Sequence, residues 1–158
     1  MKNIYLPEKE IEKDNLLFVC FLIEKIARKQ RLHNKEVVNI LRTENLEHLL
    51  SVSDVLCCEP IEYTIEQWIN YCKIPQGTFD ITDLKLPFEK KIPTPLNVAH
   101  IYQELIWNTC GEKDKNETLS QSIIKIYNHW ICEHIDDYRC SWHHEPNFII
   151  LDLYNSKI

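Results

Sequence analysis

Glycine is nearly missing from this chain: Gly77 and Gly111 are the only two in 158 residues, against an ordinary usage of about 7%. Sheet-rich folds and phosphate-cradling loops consume glycine at tight turns and close backbone approaches. Neither glycine stands in a G-x-G-x-x-G, Walker or G-x-S-x-G setting, which excludes nucleotide cradles and a hydrolase elbow of those kinds. No H-E-x-x-H zinc motif occurs either. Long apolar runs are also lacking. The longest covers residues 16–23, far short of the roughly 20 residues that span a bilayer. The first residues turn acidic at once, without a signal-peptide hydrophobic region. The cysteines number seven, an odd count with no disulfide-framework spacing. A reducing, cytoplasmic setting with no membrane attachment is expected.

What is present is globular. Hydrophobic residues make up 44% and charged residues 27%, outside the disordered range. A chain of this length buries roughly 70% of its unfolded surface and needs no disulfide or metal to fold. The net charge is −6. It is shared between the halves: residues 1–77 carry 10 basic and 12 acidic side chains, and residues 78–158 carry 8 and 12. An acidic balance disfavours nucleic acid, whose phosphates require clustered Lys and Arg. The one basic run, Lys25, Arg28, Lys29 and Arg31, reads as the solvated C-terminal end of a helix, where cations meet the dipole favourably.

Apolar spacing and capping predict an all-α fold of two small helical modules joined by a Pro-rich extended segment. Pro7 suits a first helical turn, followed by acidic residues and by the block at 16–23, apolar on nearly all sides and therefore a buried central helix. Asn34 and Thr43 are expected N-caps, Ser51, Ser53 and Asp54 a break, and Thr64 with Gln67 a capping box. Residues 1–73 form the first module. Pro75, Pro87, Pro93 and Pro95 forbid one continuous helix over 74–95. Residues 96–158 form the second module: Val98, Ile101, Tyr102, Leu105 and Ile106 keep helical spacing, Gly111 suits a left-handed C-terminal position, and Thr118 with Gln121 makes another capping box. An apolar stripe runs from Ile123 to Tyr138, and a last helix is expected from Pro146.

The residues best suited to chemistry are Cys132, Cys140, His143 and His144, since zinc accepts four Cys and His ligands in a closed structural site. Cys132 and His134 point about 200° apart on a regular helix and cannot share an ion. His134 on the apolar stripe reads as a core histidine. Cys57-Cys58 reads as two small apolar residues at a buried turn. The pairs Asp136-Asp137 and Glu112/Asp114 read as solvated charge near helix ends. Trp107 falls beside the face of 98–106, and Trp142 sits in a polar stretch near Tyr138. These three are the candidate interface residues, because aromatic side chains outside a core often mark one.

The run 16–27, with Glu24 its single polar mark, continues through Glu36, Leu41, Leu46, Leu49-Leu50, Asp54-Val55-Leu56 and Glu62-Tyr63-Thr64-Ile65. This order over roughly residues 14–72 resembles a small bacterial all-helical domain family of unknown function, often encoded beside ADP-ribosyltransferase-like toxin genes. The chain departs from it at Cys57-Cys58, where a His-containing turn is usual, and adds a second half outside the resemblance. The resemblance implies a protein of toxin–antitoxin or immunity type that acts by binding, with no catalytic residues to carry over.

The expected function is therefore non-enzymatic: occlusion or scaffolding of a protein partner, such as a toxin-like enzyme, without a cofactor. An acidic binder suits a basic cleft, and homo-oligomers are compatible with this reading. The alternatives are a metal-stabilised or metal-dependent enzyme using zinc at Cys132, Cys140, His143 and His144, and a nucleic-acid-binding regulator.

Overall fold

The computed structural model describes residues 10–80, 92–137 and 147–156. They form seven helices and, among the described residues, no strand. The all-α expectation holds.

Helix α1 (Lys13–Gln30) is the central element. The expected start at Pro7 lies outside the described residues. Instead the Glu12 N–H donates to Asn15 Oδ1 at 2.7 Å, which closes the first turn. Asp14 sits at the positive end of the helix and Arg28 and Lys29 at the negative end. Leu16, Val19, Cys20, Leu22, Ile23 and Ile26 are wholly buried, each large aliphatic among them contributing about 1.5–3 kcal/mol. Arg31 ends the helix in the left-handed region at φ 56°, and the Leu32 N–H returns to the Ala27 carbonyl at 2.9 Å.

Helix α2 (Asn34–Leu56) is capped by His33, not Asn34. The reason is Glu36, three residues on, whose Oε2 accepts the His33 N–H at 2.8 Å. Asn34 is thereby one step inside the helix, with its amide turned into the core. The helix kinks at Arg42 (φ 65°, ψ 173°), just before the expected start at Thr43, and Asn45 Nδ2 covers the freed Leu41 carbonyl at 2.8 Å. Ser51 and Ser53 do not break it. Their hydroxyls donate to the carbonyls of Glu47 and Leu50 at 2.8 and 3.1 Å, so both serines are buried without a loose donor.

Helix α3 (Ile61–Cys72) starts after Pro60, one turn before the expected Thr64–Gln67 box. Proline supplies the stop and the entry angle. Thr64 is buried with its hydroxyl unpartnered among the described residues, while Gln67 donates to Tyr63 Oη at 2.7 Å. Helix α4 (Pro95–Thr109) has Pro95 in its first turn and Thr94 as cap, and Gly111 beyond its end takes φ 82°. Helix α5 (Leu119–Tyr127) shows the expected Thr118–Gln121 box. The stripe behind it is not one helix. The chain turns at Asn128, and His129 caps a separate α6 (Trp130–Ile135) by accepting the Ile131 N–H at Nδ1, 3.1 Å away. Helix α7 (Asn147–Ser156) turns Ile150 and Tyr154 inward.

Helix α1 packs chiefly on α2 and α4, and α2 on α5. One hydrophobic core holds residues of both halves. Gln103 Nε2 also donates to the Lys13 carbonyl at 2.9 Å, and Ser120 Oγ to Glu47 Oε1 at 2.8 Å. Residues 81–91 of the proline-rich segment lie outside the described residues. Its start is tied to α1: the N–H groups of Gly77 and Phe79 donate to the carbonyls of Gln30 and Arg31 at 2.7 and 2.9 Å. Glycine is required there, because a Cβ on residue 77 would collide with the Arg31 carbonyl oxygen and stand 2.6 Å from Leu32 Cδ2.

Candidate functional site

Of the expected zinc ligands, Cys140, His143 and His144 lie outside the described residues, as do the interface candidates Tyr138 and Trp142. Cys132 is buried on α6. Its sulfur is 3.0 Å from Tyr102 Oη and 3.3 Å from Asp136 Oδ2. Burial raises its pKa strongly, and Asp136 adds to this, so the thiol stays protonated and is a poor ligand or nucleophile as it stands. Among the described residues no three His, Cys, Asp or Glu side chains are placed to hold an ion. Trp107 is half-buried against the core. Cys57 and Cys58 are not at a buried turn: both are exposed, their thiols directed at the Asp54 carbonyl.

Asp136 is not solvated charge. It belongs to a polar cluster that joins α1, α2, α4 and α6. Glu24, 1% exposed, accepts Arg28 Nε at 3.0 Å and Asn34 Nδ2 at 2.6 Å. The same Asn34 nitrogen reaches Asp136 Oδ1 at 3.1 Å, and Tyr102 Oη donates to that oxygen at 2.7 Å. Arg28 also donates to the Pro93 carbonyl at 2.6 Å. The two donors on Nδ2 fix the amide orientation, because the reverse would set its oxygen against two carboxylates. Asn34 Oδ1 is left buried without a partner among the described residues. Burial, then the charge of Glu24, raises the Asp136 pKa to about 7, against the lowering effect of its donors Tyr102, Cys132 and Asn34. Tyr127 stacks on Tyr102 with ring centroids 4.1 Å apart, and burial holds both hydroxyls well above their usual range. The cluster therefore commits several donors to two carboxylates, and burial keeps its cysteine and both tyrosines protonated.

A different surface is open. The second part of α2 and α3 enclose a groove of 860 Å³. His48, Val52 and Leu56 line it from α2, and Trp68 and Tyr71 from α3. His48 and Trp68 lie 5.8 Å apart, and Tyr71 meets Trp68 edge-on at 5.5 Å. Tyr71 is 73% exposed, and Tyr63 and Val55 are also exposed. Tyr63, Gln67 and Tyr71 recur at i, i+4 and i+8, so they share one face of α3. That face lies opposite Ile65, Ile69 and the core, a signal visible in the sequence but overshadowed there by the tryptophans of the second half.

No family model, curated protein or solved structure matches this chain.

Proposed function

We propose that this protein acts by binding a protein partner in the α2–α3 groove, in the manner of an antitoxin or immunity protein, and not by catalysis. The observation that carries this reading is an exposed tyrosine ridge beside an aromatic-lined groove. Tyrosine and tryptophan supply large contact area with little entropy loss, and they dominate binding hot spots. The volume lies within the usual range of binding sites, while its length along two helices suits a protein segment. The metal-enzyme reading has less support, because Cys132 is engaged by Tyr102 and Asp136.

The test is quantitative capture from cells of the source organism, with wild type and Tyr71→Arg compared at equal expression. Tyr71 is exposed, so the substitution should change stability by only about 0.5 kcal/mol. The expected result is a reproducible partner that the variant loses. Recovery of the chain alone, or of the same proteins with both baits, counts against the reading.

A further inference from the structure

The groove-binding reading leaves the chemistry of the partner open, and charge narrows it. Residues 43–72 contain no Lys or Arg but six carboxylates: Glu44, Glu47, Asp54, Glu59, Glu62 and Glu66. This segment alone carries the equivalent of the whole net charge of −6. Over residues 1–77 it is largely offset, because residues 1–42 carry 9 basic and 6 acidic side chains. The cations of α1 compensate one flank, where Lys25 and Lys29 pair with Glu62 and Glu66. Among the described residues, no Lys or Arg lines the groove itself. Glu44 lines one end, and exposed Glu59 lies in the turn between α2 and α3; Asp54 faces α1 instead, accepting from Asn15 Nδ2 at 2.6 Å.

The groove's walls decide the form of the occupant. Both are helices whose main-chain groups bond within themselves, so an extended strand laid between them would find no N–H or C=O partners. A helix arrives with its own backbone satisfied and needs only an apolar face. From Glu44 to Leu56 the α2 wall advances about 18 Å at 1.5 Å per residue, the length of about 12 helical residues. The exposed ring of Tyr71, packed edge-on against the buried Trp68, gives such a helix an apolar seat, and its face attracts Lys and Arg.

Resting on the reading that the groove binds a protein, we infer that its occupant is an amphipathic helix of the partner bearing Lys and Arg along its polar edges. The probes are three labelled peptides of about 16 residues with one shared apolar face. The first carries Lys and Arg on the polar face, the second Glu, and the third is the basic peptide with a central proline. Anisotropy titrations use the full chain. The basic peptide should bind at least about tenfold more tightly than the acidic one and weaken as salt rises from about 50 to about 500 mM. It should lose binding to Tyr71→Arg and to the double variant Glu44→Lys, Glu59→Lys, with both variants checked for unchanged melting.

Equal binding of the acidic peptide, or undiminished binding of the proline peptide, overturns the inference. So does a dimer of the chain that closes the groove at micromolar concentration. If no basic helix binds while Tyr71→Arg still removes the captured partner, the inference fails and the groove reading stands. If Tyr71→Arg alters neither, both fail.

Discussion

The Asn34 amide nitrogen stands 2.6 Å from Glu24 Oε2 and 3.1 Å from Asp136 Oδ1, so one side chain of α2 tethers a carboxylate of α1 to one at the end of α6. A buried carboxylate and a half-buried one set this close repel unless donors lie between them. Asn34 supplies a donor to each and carries no charge of its own.

Replacing Asn34 with Ala should therefore remove two charge-assisted bonds and leave both carboxylates short of donors. The expected loss is about 2–4 kcal/mol. Urea unfolding checks it, as a lower midpoint at unchanged slope. Asn34→Asp should cost more, because it sets a third carboxylate among the two. A loss below about 0.5 kcal/mol for either variant contradicts the bridging role.

Asp136 gives the cluster a pH signature. Its carboxyl titrates at about 7 when folded, against an ordinary value of 3.8. Between those values the folded chain holds a proton that the unfolded chain has released. The stabilising contribution is thus complete below pH 3.8 and is lost as pH rises through about 7. Relative to Asp136→Asn, the wild type should lose on the order of 1–3 kcal/mol between pH 5 and pH 8. Parallel stability curves for the two proteins over that window contradict this.

The helices were legible where one signal dominated. Val98, Ile101, Tyr102, Leu105 and Ile106 mark α4 by spacing alone, and Thr118 with Gln121 marks the start of α5 through local bonds. The break between α5 and α6 was not legible, because apolar spacing continues across Asn128 and His129 and only the chain reversal interrupts it. Thr64 and Gln67 misled for the opposite reason: a sound local motif lost to Pro60, which starts the helix a turn earlier. In the polar cluster, Glu24 announced itself as a carboxylate inside an apolar run. Asn34 and Asp136, separated by 102 positions, meet only through packing, and no local pattern relates them. The groove was half visible, as tyrosines off the apolar face of α3. Its α2 wall depends on how the two helices are set by the turn between them.

Gly77 should tolerate no side chain. Gly77→Ala drives a methyl into the Arg31 carbonyl and Leu32, so residues 74–79 must lift from the end of α1. A cost of about 1–3 kcal/mol is expected, with faster hydrogen exchange at the amides of residues 77 and 79, which donate to Gln30 and Arg31. Gly111→Ala meets nothing closer than 3.8 Å but keeps φ at 82°, so its cost should be limited to about 1 kcal/mol of backbone strain. Similar exchange at residue 77 in wild type and Gly77→Ala contradicts the close-approach argument.

Cys132 separates the zinc reading from a packing role. If its thiol serves only to join Tyr102 and Asp136, a hydroxyl can do the same, and Cys132→Ser should lie within about 1 kcal/mol of wild type. Cys132→Val removes that donor and should cost about 1–3 kcal/mol more than the serine variant. A zinc ligand predicts the reverse emphasis: serine coordinates zinc poorly, so both variants would lose stability alike, and wild type would lose it to chelator. Melting of the three proteins with and without chelator, beside zinc content by elemental analysis, distinguishes the two. Near-stoichiometric zinc in wild type, absent from Cys132→Ser, would show that the buried sulfur serves the metal and not the carboxylate.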